Sequence, residues 1–133
     1  MKQTTKLGHS NLELNRIGLG CMGMSEFFGS FNEEESMNTL HKVIELGDNF
    51  FDTADMYGWE ANERLIGKVF KGKWSKVILA TKFAVMRGLN GEFLGLNGKP
   101  EYVKHAFELS LKNLGVDSID FVLYASARPS SRN

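Results

Sequence analysis

The stretch Asn49-Phe50-Phe51-Asp52-Thr53-Ala54-Asp55-Met56-Tyr57-Gly58 begins apolar and β-prone and turns polar at Asp52. A short loop carries Tyr57 out to Gly58, and a helical pattern follows from Asn62. A second apolar run, Val77-Ile78-Leu79-Ala80-Thr81-Lys82, ends on a lysine in the same way. Strands that deliver polar residues at their carboxyl ends are how an α/β barrel presents chemistry. Asp52, Tyr57 and Lys82 are therefore expected to meet in one site.

Working outward, each of these strands sits between helical patterns. Upstream, Asn32 can cap a helix that opens on Glu33, Glu34 and Glu35, carboxylates suited to the positive end of the dipole. Met37, Leu40 and Ile44 form its apolar stripe, with Val43 at the edge and Gly47 as the stop. Between the two strands, Leu65, Ile66 and Val69 mark a second helix over about 62–70. Pro100 opens a third at a favoured first-turn position, with Val103, Phe107, Leu111 (Ser110 beside it) and Leu114 as its stripe and Gly115 as its end. Residues 84–99 hold four glycines without a clear period and read as a long loop, with room for a small hairpin.

At the amino end, Lys6-Leu7 and Leu12-Glu13-Leu14 flank the turn signal Gly8-His9-Ser10-Asn11, which predicts a hairpin over 1–16. Ile17-Gly18-Leu19-Gly20-Cys21-Met22-Gly23-Met24 is a short apolar strand rich in glycine, a sign of close backbone approach. Ile119 to Tyr124 is a further strand. The order hairpin, β, α, β, α, β, α, β argues for parallel βαβ units.

Composition narrows the function classes. At 133 residues the chain is about one domain long, with 42% hydrophobic and 24% charged residues. Lys+Arg and Asp+Glu balance at 16 each, so no basic field is present for nucleic acid or an anionic membrane. No apolar run approaches the ~20 residues of a membrane span, and the first residues lack the apolar core of a signal peptide. A single cysteine, Cys21, excludes an internal disulfide. A soluble, cytoplasmic protein is expected. His9, His41 and His105 fall in a turn and on helices, without metal-ligand spacing, so they read as surface residues and no metal site is expected.

The strand-and-loop stretch 49–58, with Asn62-Glu63 after it, resembles the signature of the aldo-keto reductases. Ala80-Thr81-Lys82-Phe83 is similar to that family's lysine-bearing strand, and 17–24 to its first barrel strand. Residues 110–120, Ser-Leu-Lys-Asn-Leu-Gly-Val-Asp-Ser-Ile-Asp, resemble the helix end and strand start that follow. The likeness runs from residue 5 to about 121. It implies the first half of a (β/α)8 barrel: a hairpin over 1–16, a half-barrel of four strands and three helices over 17–124, and an irregular tail over 125–133. It also implies reduction of an aldehyde or ketone with NADPH. A whole barrel takes ~250 residues, so the carboxyl half, with most adenosine and phosphate contacts, is expected to lie outside this chain.

Carbonyl reduction needs a hydride on carbon and a proton on oxygen. A tyrosine, with a reference pKa near ~10, donates its proton more easily beside a cation. The resemblance makes Tyr57 the acid, with Lys82 and Asp52 as the pair that tunes it. It places Gly20, Met22, Gly23 and Asp52 at the cofactor. Gly20 and Gly23 equally serve tight packing, and Met22 and Met24 read as core before pocket lining. Trp59 is open between pocket wall and simple packing.

One family residue is missing. The family's fourth strand ends in a pattern such as Ile-Asp-Leu-Tyr-Tyr-x-His-Arg, and counting from Asp120 puts Ala125 where the histidine belongs. Alanine has neither donor nor acceptor in its side chain. Codons can be chosen for 120–129 such that removing one T from the Phe121 codon makes the same letters encode Asp-Leu-Tyr-Tyr-Thr-His-Arg-Pro-Asp. A frameshift near Phe121 is the expectation, and independent reads of the gene with an intact frame would sink it. The chain by itself is then expected to be inactive and, with open sheet edges, prone to self-association. Two rivals stand beside this reading. One is a non-catalytic half-barrel that dimerises as a binding or structural module. The other is a doubly wound nucleotide-binding domain; Gly18-Leu19-Gly20-Cys21-Met22-Gly23 matches its fingerprint in letters but lies within a strand.

Overall fold

Alternation of helical and strand patterns becomes an ordered parallel sheet. The structure, a computed structural model, describes residues 3–25 and 31–125. Four strands, β3 (Leu19–Gly20), β4 (Phe50–Asp52), β5 (Ile78–Phe83) and β8 (Phe121–Tyr124), lie side by side in chain order and all run parallel. Helices α1 (Glu33–Glu45), α2 (Ala61–Phe70) and α3 (Pro100–Leu114) connect them in turn. Strand order that follows chain order without a reversal is barrel winding. A doubly wound sheet would turn back at a switch point, and this one does not. The fold is a partial (β/α)8 barrel, an open sheet rather than a closed one. The irregular tail expected beyond Ala125 lies outside the described residues.

The helices form for the reasons read in the sequence. Asn32 caps α1, its Oδ1 accepting from the Glu35 amide at 3.1 Å. Pro100 occupies the first turn of α3, and Gly115, at φ +67°, closes it in the left-handed conformation. The α3 stripe is rotated from the expected one. Ala106, Ser110 and Leu114 are buried, while Val103, Phe107 and Leu111 are only half-buried. Small residues face the neighbour because α2 and α3 pack tightly: a Cβ on Gly67 would lie 2.6 Å from the Leu114 carbonyl oxygen.

The core lies between the outer face of the sheet and these helices. Phe51 and Leu79 from the strands meet Leu40, Leu65, Ile66, Val69, Phe70 and Leu114. Phe51 and Phe70 pack edge to face at 4.7 Å between centroids, and Trp74 adds a second edge at 5.6 Å. Burying each such ring contributes roughly 2–3 kcal/mol. At the floor, β1 (Thr4–Lys6) and β2 (Glu13–Asn15) pair antiparallel as the expected hairpin. The Asn15 amide donates to Asn49 Oδ1 at 2.9 Å, and Asn49 Nδ2 donates to the Glu13 carbonyl at 3.0 Å, joining hairpin to the start of β4. Within the 84–99 segment, β6 (Val85–Arg87) and β7 (Phe93–Leu96) form a bulged hairpin of their own.

Candidate active site

Side chains alternate faces along a strand, so β4 and β5 each offer one set to the helices and one to the barrel interior. Phe51 and Leu79 are on the helix side. Asp52 and Lys82 therefore fall on the interior side, at the carboxyl ends of their strands. Asp52 pairs in register with Ala80, which sets Lys82 one step beyond on the same face. Lys82 Nζ forms an ion pair with Asp52 and donates to the Thr53 carbonyl at 2.8 Å. Side-chain exposures of 21% for Lys82 and 42% for Asp52 leave the pair open to water on one side.

Tyr57 joins them from the following loop. Its ring centroid lies 5.2 Å from Lys82 Nζ, within cation–π range. The loop is held by the Tyr57 amide on the Ala54 carbonyl at 3.2 Å. It then runs through three left-handed residues, Gly58, Trp59 and Glu60, at φ +56°, +53° and +69°. Only glycine fits the first of these, since a Cβ there would approach Ser25 Cβ to 2.7 Å. Asp52, Tyr57 and Lys82 are thus together.

The first strand borders them. Gly20 pairs in register with Asp52, and a Cβ on Gly20 would meet nothing within 4 Å. That open space adjoins the acid at the sheet's carboxyl edge. The Cys21 amide donates to the Asp52 carbonyl at 2.8 Å and carries the chain into a 3-10 turn, Met22–Met24. Met24 is buried in the core; Met22 is half-buried and Gly23 exposed. Cys21 is fully buried, and burial, reinforced by the Asp52 charge, pushes its thiol up to about 12.

Ala125 sits at the far side. Lys82 pairs with Leu123, and the Ala125 amide donates to the Phe83 carbonyl at 2.9 Å. Alternation places Leu123 and Ala125 on the Lys82 face, with no polar group where a histidine would stand. His9 and His105 are exposed, and His41 contacts Lys73 Nζ at 3.1 Å, all away from these strand ends. Trp59 is 47% exposed and lines a cleft with Asp55 rather than the Asp52–Lys82 face.

Thr53, Thr81, Asn62 and Glu63, the last two already noted in the segment that resembles the family signature, have a structural role that the sequence alone did not give them. Thr53 and Thr81 alternate with Asp52 and Lys82 and so face the helices. Thr53 Oγ1 donates to Asn62 Oδ1 at 2.6 Å, and Asn62 Nδ2 donates to the Cys21 carbonyl at 2.8 Å and to Ser25 Oγ at 2.6 Å. Thr81 Oγ1 donates to Glu63 Oε1 at 2.8 Å, and Asn113 Nδ2 reaches Glu63 Oε2 at 3.3 Å. Asn62 and Glu63 are fully buried. Through them α2 clamps three strands from behind. The available signal was a threonine at a helix-facing position of each strand, where the pattern otherwise calls for an apolar residue.

Parallel strands in unbroken chain order, with an acid and a lysine on adjacent carboxyl ends, define the amino-terminal part of a (β/α)8 barrel with its functional rim. The family model described as the aldo/keto reductase family matches residues 16–132, and the chain belongs to that family. An NADP(+) aldo-keto reductase of Schizosaccharomyces pombe is 41% identical over 119 residues, a match covering 88% of this chain and 34% of the relative. The holo form of an aldo-keto reductase from Bacillus halodurans superposes with a TM-score of 0.80 at 34% identity, covering 96% of this chain and 41% of that one. A glycerol dehydrogenase from Gluconobacter oxydans shares the fold, with a TM-score of 0.79 at 24% identity over 91% of this chain and 38% of its own. The chain spans about a third of the length of the curated relative it matches.

Proposed function

We propose that these residues are the amino-terminal portion of an oxidoreductase site that reduces an aldehyde or ketone to an alcohol with NADPH. The carrying observation is the convergence of Lys82 Nζ on Asp52 and on the Tyr57 ring, 5.2 Å to its centroid. When bound, NADPH supplies the hydride that goes to the carbonyl carbon. Tyr57 gives its proton to the carbonyl oxygen, Lys82 stabilises the negative charge left on the phenol oxygen, and Asp52 holds Lys82 in position. Gly20, Met22, Gly23 and Asp52 would hold the cofactor: a Cβ on Gly20 would meet nothing within 4 Å, so the backbone in register with Asp52 is open to approach. The name of the Schizosaccharomyces pombe relative carries NADP(+), which supports the phosphorylated cofactor.

Taken alone, the chain is inactive in this reading. Ala125 offers nothing to orient a carbonyl, and the four-stranded sheet leaves the interior face without an opposite wall among the described residues. Aldehyde-dependent oxidation of NADPH, measured before and after Ala125→His, tests both claims. No turnover is expected before the substitution, and any that appears after it must vanish with Tyr57→Phe. Turnover indifferent to Tyr57→Phe overturns the role of the tyrosine. Turnover by the unsubstituted chain that does need Tyr57 overturns only the inactivity.

A second reading draws on the β8 edge, where Val122, Leu123 and Tyr124 are 38%, 45% and 50% exposed. An open parallel edge carrying apolar side chains is suited to self-association, the basis of a binding or structural module. Light scattering after size exclusion decides it. A discrete dimer that melts cooperatively supports the module, and a monomer across a hundredfold concentration range rejects it.

A further inference from the structure

Two asparagines of the chain precede glycine, Asn90–Gly91 and Asn97–Gly98, and both lie within the 84–99 segment. With no side chain on the following residue, the next backbone nitrogen can reach an asparagine Cγ. The two sites share that chemistry and differ in what the fold does with it. At the tip of the β6–β7 hairpin the Gly91 amide is engaged, donating to the Gly88 carbonyl at 2.9 Å. Asn90 is tied there by its own amide, which donates to Glu92 Oε2 at 3.0 Å.

Asn97 follows β7 and is arranged differently. Its amide donates to the Ala84 carbonyl at 2.8 Å, which fixes it beside the junction of β5 and β6. Its Oδ1 accepts from the Lys99 amide at 3.0 Å. The ring closed by this hydrogen bond contains both Asn97 Cγ and the Gly98 nitrogen, so the side chain is folded back along the Gly98 peptide. The Gly98 amide has no hydrogen-bond acceptor among the described residues, and Gly98 is exposed. One closed turn therefore holds a nucleophile, an electrophile and a donor on the carbonyl oxygen, with the attacking nitrogen open to base from solvent.

We propose that Asn97–Gly98 is a site of self-modification, at which the Gly98 nitrogen displaces the side-chain amide of Asn97 as ammonia. Hydroxide removes the Gly98 amide proton, and the nitrogen bonds to Asn97 Cγ. Negative charge develops on Oδ1, where the Lys99 amide already points. A donor fixed in advance at a developing charge lowers the barrier. The intermediate collapses with cleavage of the Cγ–Nδ2 bond, and ammonia leaves with a proton from water. Water then opens the cyclic imide at either carbonyl, giving aspartate or isoaspartate, and no oxidant or reductant takes part. The isoaspartyl product lengthens the main chain between β7 and α3. Gly98 lies there so close to Tyr124 that a Cβ would stand 2.8 Å from the ring.

The test is incubation of the full 133-residue chain in mildly alkaline buffer, with peptide mapping by mass spectrometry over time. Asn90–Gly91 in the same sample is the control, since its local sequence is also Asn-Gly. Having to free an amide from its hydrogen bond slows attack about fivefold, so Asn97 is expected to convert about fivefold faster than Asn90. In urea, which unfolds the chain, the two rates are expected to converge. Lys99→Pro removes the donor to Oδ1 at a residue whose φ of −65° already suits proline. It is expected to slow Asn97 about fivefold and leave Asn90 unchanged. Equal rates in the folded chain, or faster conversion at Asn90, overturn the proposal. So does a preference that survives in urea, which would place its cause in the flanking sequence. An unchanged rate in Lys99→Pro overturns the part given to the Lys99 amide. If that variant fails to fold, the two sites compared in the folded and unfolded wild type decide alone.

Discussion

Asp52 and Thr53 are neighbours in sequence and so are Thr81 and Lys82, yet each pair divides between two unlike environments. On the interior face, Asp52 and Lys82 pair beside water, 42% and 21% exposed. On the helix face, Thr53 and Thr81 are sealed against Asn62 and Glu63, both fully buried. The first pair is arranged around space that something else can enter. The second consumes its hydrogen-bonding capacity internally. Each strand end therefore turns one polar residue, Asp52 or Lys82, to the interior and its neighbour, Thr53 or Thr81, to the helices, so polar residues serve on both faces.

That contrast breaks most visibly at Asn62. Asn62→Ala strands Thr53 Oγ1 and Ser25 Oγ and removes one of two donors from the Cys21 carbonyl, which keeps the Met24 amide at 3.0 Å, and is expected to cost about 3 kcal/mol in urea unfolding. A loss under about 1 kcal/mol would show that the clamp is replaced by water.

Asp55 gives the next effect, read as a pH dependence. Its carboxyl is 3.8 in the ordinary state and is pushed up to about 7 by burial and by Glu63. Between these values the folded chain holds a proton that the unfolded chain has released. Its contribution is therefore fully present below pH ~4 and is lost as pH rises through about 7. Asp55→Asn should be more stable than the wild type at pH 8 by on the order of 2 kcal/mol, discounted for the part of the carboxyl that meets water, and the gap should close toward pH 4. A gap that does not change with pH would remove Asp55 as its source.

Gly67→Ala drives a methyl to 2.6 Å from the Leu114 carbonyl, and the α2–α3 contact must open. A cost of about 1–2 kcal/mol is expected from thermal melts, although alanine is the better helix former. Smallest of all is Lys82→Met. It removes a half-exposed ion pair and is expected to change stability by no more than about 1 kcal/mol. The sharpest form of the comparison is Asn62 against Lys82: the sealed side chain behind the sheet is costly to lose, and the ion pair open to water on the interior face is nearly silent in folding.

Much of the fold was legible because each element carried its own punctuation. Asn32, Gly47, Pro100 and Gly115 bound the helices, and apolar runs ending in Asp52 and Lys82 marked the strands. The meeting of Asp52, Tyr57 and Lys82 was legible for the same reason, since parallel strands bring their carboxyl ends to one rim. What was hidden depends on side chains finding partners far along the chain. Asn62 reaches Cys21, Glu63 reaches Thr81, and neither spacing has a period. The α3 stripe was right at Leu114, with Ser110 beside it, and misplaced earlier in the helix, where close packing of α2 on α3 at Gly67 favours the small Ala106 over Val103 and Phe107. Asp55 carried no signal of its own within the 49–58 stretch, and the burial of its Oδ1 without a partner is what distinguishes it.

Cys21 is the chain's one thiol, and it is sealed beneath the Asn62 clamp with its deprotonation held off to about 12. An alkylating reagent in neutral solution meets no thiolate there until the first strand lifts away from Asp52 and the asparagine lets go. The rate at which the label appears is then a clock for that single opening event. Read against reagent concentration, it reports the free energy of the opening that exposes Cys21.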